Sequence, residues 1–99
     1  MAFKLSRAAV DDLLDIYFVG VERFGVKQAE EYQDGFDSAF AFLADFPRAA
    51  RERTELLRES RAHPYRSHLI FYRLDGDDIF IQRIRHSRED WISEPVREQ

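Results

Sequence analysis

Ser67-His68-Leu69-Ile70-Phe71-Tyr72-Arg73-Leu74, then Asp75-Gly76, then Asp77-Asp78-Ile79-Phe80-Ile81-Gln82-Arg83-Ile84-Arg85-His86 is the stretch whose reading decides the fold. Two runs rich in β-branched and aromatic residues flank an Asp-Gly pair, a strong short-range hairpin signal because both central residues of a type I′ turn need positive φ. Side chains alternate along a strand, so a two-residue loop sets which residues share a face. His68, Ile70, Tyr72 and Leu74 fall with Ile79, Ile81, Arg83 and Arg85. Leu69, Phe71 and Arg73 fall with Phe80, Gln82, Ile84 and His86. Both faces are substantially apolar, and a pair of helices covers one face of a small sheet, so part of the other meets water or a partner.

Outward from the hairpin, the N-terminal half is helical. Phe3-Lys4-Leu5 alternates as a short strand, and Ser6 is a good helix N-cap. Val10, Leu13, Leu14, Tyr17, Val21 and Phe24 recur at helical spacing in one stripe, which is expected to face the core. Ile16, Phe18 and Val19 lie off it. Gly25 is expected as a left-handed stop, after which Ala29, Tyr32, Phe36, Ala39, Phe40, Leu43 and Phe46 form the buried face of a second helix ended by Pro47. Residues 48–66 carry seven charges before Ser60. They read as a loop with a short strand at its middle. The sum is an α+β domain of order βααβββ, a helical hairpin packed on one face of a small antiparallel sheet.

Ninety-nine residues suffice for one domain, assigned to 1–91 with a polar tail at 92–99. There is no cysteine, which excludes disulfides and thiolate chemistry. The longest apolar runs, Ile16 to Val19 and Ala39 to Ala44, are far shorter than the roughly 20 residues of a membrane span. A cytoplasmic protein without membrane contact is expected. Net charge is −4, unevenly spread: residues 1–46 hold nine acids and four bases, residues 47–99 ten acids and eleven bases. Thirteen of the fifteen bases are Arg, the residue suited to bidentate carboxylate or phosphate contacts.

The histidines, His63, His68 and His86, lack helical i, i+4 pairing and metal-ligand spacing, so no metal or cofactor is expected. Asp75, Asp77 and Asp78 surround Gly76 as turn residues, without the spacing of a calcium loop. One constellation remains. Arg83, Arg85, His86 and Arg88, with Arg73 on the neighbouring strand, Arg61 and Arg66 before it and Trp91 beside it, form a basic patch near the end of the sheet. It suits RNA phosphates with His86 as general acid or base, docking on an acidic protein surface, or an Arg-rich edge that blunts strand aggregation.

Three further features come in a distinctive order: Phe24-Gly25 followed by Gln28-Ala29-Glu30 and Tyr32; the strand His68-Leu69-Ile70-Phe71-Tyr72-Arg73 before Asp75-Gly76-Asp77; and Arg83-Ile84-Arg85-His86-Ser87-Arg88-Glu89-Asp90. Together they resemble the ParE toxins of the RelE/ParE superfamily, from about Phe3 to Trp91. The resemblance implies a bacterial type II toxin that acts on DNA gyrase and is neutralised by a ParD-like antitoxin wrapping its C-terminal segment around the toxin. Antitoxin contacts are then expected at Ile16, Phe18, Val19, Ile70, Tyr72, Ile79 and Ile81, and target contacts at Arg73, Arg83, Arg85, His86, Arg88 and Trp91. The alternative is ribosome-dependent mRNA cleavage of the RelE type. That branch uses a C-terminal Tyr or His as acid and base. Here His86 alone fits that role and no tyrosine follows Tyr72, which favours a binding protein over an enzyme. Two departures stand out: Glu59-Ser60-Arg61 replaces a loop glycine usual in the family, and Arg85 replaces an apolar residue before the terminal His.

Overall fold

The computed structural model describes residues 2–52 and 60–88. Its elements are β1 (Phe3–Leu5), α1 (Arg7–Phe24), α2 (Val26–Asp45), β2 (Arg61–Tyr65), β3 (His68–Asp75) and β4 (Asp78–His86), in a four-stranded sheet of order β1-β4-β3-β2. The order βααβββ is as expected. The sheet, however, is mixed: β1 runs parallel to β4, while β2–β3 and β3–β4 are antiparallel. No turn in the sequence links β1 to its partner, so periodicity carries no information on its direction.

Ser6 starts α1 as read, its Oγ accepting from the Ala9 N–H at 2.9 Å. Gly25 joins the helices at φ 92°, ψ 163°, an extended mirror-image conformation open to glycine rather than the left-handed helical stop expected. The buried face of α1 is also rotated from the expected stripe. Ala9 is buried and Leu13 and Ile16 pack against the core, whereas Val10, Leu14 and Phe24 are exposed. Small residues explain the difference. Ala9 lies in the core, and Gly20 faces Ala29 closely enough that an added Cβ would sit 3.4 Å from the Ala29 Cβ. A pattern read from bulky side chains misses a face built from Ala and Gly.

On α2, Ala29, Phe36, Phe40, Leu43 and Ala44 are buried and Tyr32 and Ala39 partly so. Phe46 instead caps the helix C-terminus and is exposed beside Phe42, with ring centroids 5.2 Å apart. Tyr72 fixes the chain that follows: its hydroxyl donates to the Pro47 carbonyl at 2.9 Å and accepts from the Ala50 N–H at 3.3 Å.

The hairpin departs from the simple alternation in two places. Asp75 pairs with Asp78, so the loop is Gly76-Asp77, and Gly76 alone has positive φ, at 62°. That suits a type II′ turn with glycine first. Farther up, Tyr72 pairs with Ile81 but Phe71 with Arg83, which leaves Gln82 as an extra residue in β4. This bulge reverses the faces of the upper strand. Ile84 joins Ile70, Tyr72, Ile79 and Ile81 in the core beneath the helices, and Arg83 and Arg85 stand opposite Phe71 and Leu69. Buried Gln82 is held from two sides: Ser6 Oγ donates to its carbonyl at 2.6 Å and Ser60 Oγ to its Oε1 at 2.8 Å.

Candidate functional site

β1 ends opposite Ile81, so the upper half of β4 has α1 rather than a strand along its outer edge. A cleft of about 420 Å³ opens there, between Asp12, Asp15 and Ile16 of α1 and His68, Arg83, Arg85 and His86 of the hairpin. Its floor is tied down by Asp12. One carboxylate oxygen accepts from Arg83 Nε at 2.8 Å and from the Ile84 N–H at 2.9 Å, and the other from Arg83 Nη2 at 3.0 Å.

His68 and His86 are paired across β3 and β4, and their rings meet edge to face with centroids 5.3 Å apart. Each is oriented through Nδ1. The Tyr32 hydroxyl lies 2.8 Å from His68 Nδ1, and the Arg88 N–H donates to His86 Nδ1 at 3.1 Å. In neutral His86 that bond puts the ring proton on Nε2. Burial pushes the Tyr32 hydroxyl above its ordinary pKa.

Of the basic patch, Arg83, Arg85 and His86 come together at the cleft and Arg88 adjoins it through its bond to His86. Arg73 does not join them. It pairs opposite Phe80 with its guanidinium 4.7 Å from that ring, five residues down β4 from Arg85, or about 16 Å. Arg61 turns away to donate to the Ala50 carbonyl at 2.7 Å, and Arg66 sits in the β2–β3 turn at φ 52°. Trp91 lies outside the described residues.

The expected partner surface is redrawn more sharply. Ile70, Tyr72, Ile79 and Ile81 are 0% exposed in the helix–sheet core, so they present no surface to another chain. The cause is that the helices cover this face of the sheet. Phe18 and Val19 are exposed as expected, and Ile16 is partly buried at the cleft. Val10 and Leu14, read as core, instead extend Phe18 into a stripe at i, i+4 and i+8, with exposures of 41%, 50% and 61%. Across Arg7–Asp45 that stripe is set in a strongly acidic hairpin, with nine acidic and three basic residues. Among the described residues no group of three or more His, Cys, Asp or Glu is placed to hold a metal ion, and no helix is long and apolar enough to cross a membrane.

Asp12, Asp15 and the partnering of His68 with His86 are the parts of the site that the sequence reading missed. The histidines carried a usable signal, since each stands at the open end of its strand. Asp12 carried none, being one of four acids on α1.

A family model described as the ParE toxin of the type II toxin-antitoxin system parDE matches residues 3–91. Among curated relatives, Toxin ParE1 of Mycobacterium tuberculosis is 35% identical over 89 residues, covering 89% of this chain and 91% of the relative. Toxin ParE1 of Caulobacter vibrioides is 32% identical over 84 residues, covering 85% and 86%. Among solved structures, a chain of the chromosomal ParDE TA system from P. aeruginosa superposes with a TM-score of 0.75 at 23% identity, covering 87% of this chain and 95% of that one.

Proposed function

The chain belongs to the family of ParE toxins of type II toxin–antitoxin systems, and from that premise we propose that it is a cytoplasmic gyrase inhibitor held silent by a ParD-like antitoxin. The observation that carries the antitoxin half is the exposed stripe Val10, Leu14 and Phe18 on an acidic helical hairpin. An apolar stripe at helical spacing suits an amphipathic helix laid along it, and the surrounding acids favour a partner with a basic rim. Val19 and Ile16 lie on the far side of α1 from this stripe, Ile16 at the cleft, so the stripe carries the proposal without them.

The target half rests on the basic end of the hairpin. Arg85, His86 and Arg88, with Arg83 behind them, offer charge-assisted donors to an acidic protein surface, and that role needs neither cofactor nor proton transfer. Trp91 and the more distant Arg73 belong to the proposal at its margins. A second reading, RNA cleavage, is favoured by one observation, the oriented imidazole pair His68–His86 beside Arg85. Two imidazoles can serve as general base and general acid.

The test of the antitoxin half is titration of a ParD-like antitoxin against the folded toxin and its Leu14→Glu and Phe18→Glu variants. Acid placed in the stripe is expected to weaken binding at least 100-fold with circular dichroism unchanged. Binding of both variants within threefold of the parent would refute docking on this stripe.

A further inference from the structure

Beyond Ile81 the outer edge of β4 loses its strand partner, because β1 must hand over to α1 at Ser6. The groups that take over that edge all come from the start of the helix. Ser6 N–H donates to the Ile81 carbonyl at 2.9 Å, Ser6 Oγ to the Gln82 carbonyl at 2.6 Å, and the Ile84 N–H donates to Asp12 at 2.9 Å. Asp12 therefore stands where the next strand's carbonyl would stand, and with its other contacts it grips Arg83 from two nitrogens. Both side chains are largely withdrawn from solvent, at 14% exposure for Asp12 and 22% for Arg83.

We infer that Asp12 is a positioning residue: by holding Arg83 and the Ile84 amide with one carboxylate, it fixes the bulged upper half of β4 and so the spacing of the Arg85, His86 and Arg88 patch against the target. The inference rests on that patch being the target-facing end. Its physical basis is the bulge. A strand with one extra residue is anchored less by its own ladder, and a one-residue slip would exchange the faces of Arg83, Ile84, Arg85 and His86. Three converging donors on one carboxylate oppose that slip, and a planar guanidinium held at Nε and Nη2 is fixed in direction as well as place. A pair this withdrawn from solvent also supports the fold, so its geometric role is separated from folding by comparing variants at matched folded protein.

The test uses the full chain and the variants Asp12→Ala, Asp12→Glu, Arg83→Ala and the double Asp12→Ala/Arg83→Ala. Three readouts are taken: growth arrest on graded induction at matched folded protein, antitoxin affinity, and NMR of the Arg83 Nε–H signal and Ile84 amide exchange. For Asp12→Ala, Ile84 exchange is expected to quicken and the Arg83 signal to broaden. Growth arrest should weaken at least tenfold, with antitoxin affinity within threefold of the parent. Asp12→Glu, still able to receive the guanidinium, should recover part of the arrest, and the double variant should be no weaker than Arg83→Ala alone. Undiminished arrest by folded Asp12→Ala would overturn the inference, as would additive losses in the double variant or an equal loss of antitoxin affinity. If both Asp12→Ala and Asp12→Glu fail to fold, Asp12 holds the fold together and the positioning role is refuted. Growth arrest reports on the target whatever it is. A parent chain that arrests growth yet leaves supercoiling intact would remove the gyrase reading and leave this inference standing.

Discussion

Gly35→Ala reverses an ordinary expectation. In an open helix interior the change gains about 1 kcal/mol, because alanine has the higher helix propensity. Gly35 lies within α2 under the ring of Tyr65, and a Cβ there would overlap the Tyr65 hydroxyl and stand 2.7 Å from Cζ and 3.2 Å from Cε1. The ring has little room to retreat. It lies 4.5 Å from the Phe36 ring and 5.2 Å from the Tyr32 ring, centroid to centroid, and its hydroxyl donates to the Tyr32 carbonyl at 3.2 Å. Overpacking of this kind costs roughly 1–3 kcal/mol. Loss of the hydroxyl's bond adds about 1 kcal/mol. Set against the propensity gain, the net expectation is a destabilisation of roughly 1–3 kcal/mol. Urea unfolding of four proteins tests it: parent, Gly35→Ala, Tyr65→Ala and the double variant. With Tyr65 truncated, Gly35→Ala should instead stabilise, by about 1 kcal/mol. Stabilisation by Gly35→Ala in both backgrounds would refute the steric argument.

Three other outcomes follow from the same packing. Tyr72→Phe leaves the Ala50 N–H without its acceptor and the Pro47 carbonyl without its donor, and should cost about 1–3 kcal/mol in urea unfolding; an unchanged midpoint would show that this tyrosine does not fasten the chain after α2. Phe40, fully buried in the core, should cost roughly 3–5 kcal/mol when cut to Ala, and a loss below about 1 kcal/mol would mean the core repacks around it. Burial holds the His63 imidazole below its ordinary value of 6.5. The unfolded chain then takes up the proton first, so this group's stability contribution is full above pH 6.5 and is lost as pH falls through the lower folded value. His63→Gln should therefore show a flatter fall in thermal midpoint than the parent below pH 6.5, and parallel curves would contradict it.

The elements were legible because their signals are local: Ser6 before a periodic run, Gly25 between two runs, and a turn glycine between two β-rich segments. What the sequence hid depended on pairs of distant residues. The bulge at Gln82 is set by Ser6 and Ser60, which lie 76 and 22 residues away, and strict alternation therefore put Ile84 and His86 on the wrong face. The rotation of α1 was hidden because its core line uses Ala9 and Gly20, which weigh little in any hydrophobic pattern. The same error concealed Val10 and Leu14 at the surface, whereas Ile70, Tyr72, Ile79 and Ile81 were sent to an interface because strand parity leaves open which sheet face the helices cover. The basic patch was half legible. Neighbours along β4 stayed together, whereas Arg73 lies at the turn end of β3, where the hairpin turn already sets it opposite the start of β4 and away from Arg83 and Arg85.

Supercoiling of relaxed plasmid by purified gyrase, run beside translation of a reporter mRNA with the same folded toxin, divides the two readings of the site. Inhibition of supercoiling with transcripts left whole is expected, relieved by stoichiometric antitoxin, retained by His86→Gln and abolished by Arg85→Glu. Uninhibited gyrase at excess toxin, together with cut transcripts whose cleavage disappears in His86→Gln, would contradict the gyrase reading and make the His68–His86 pair the working centre.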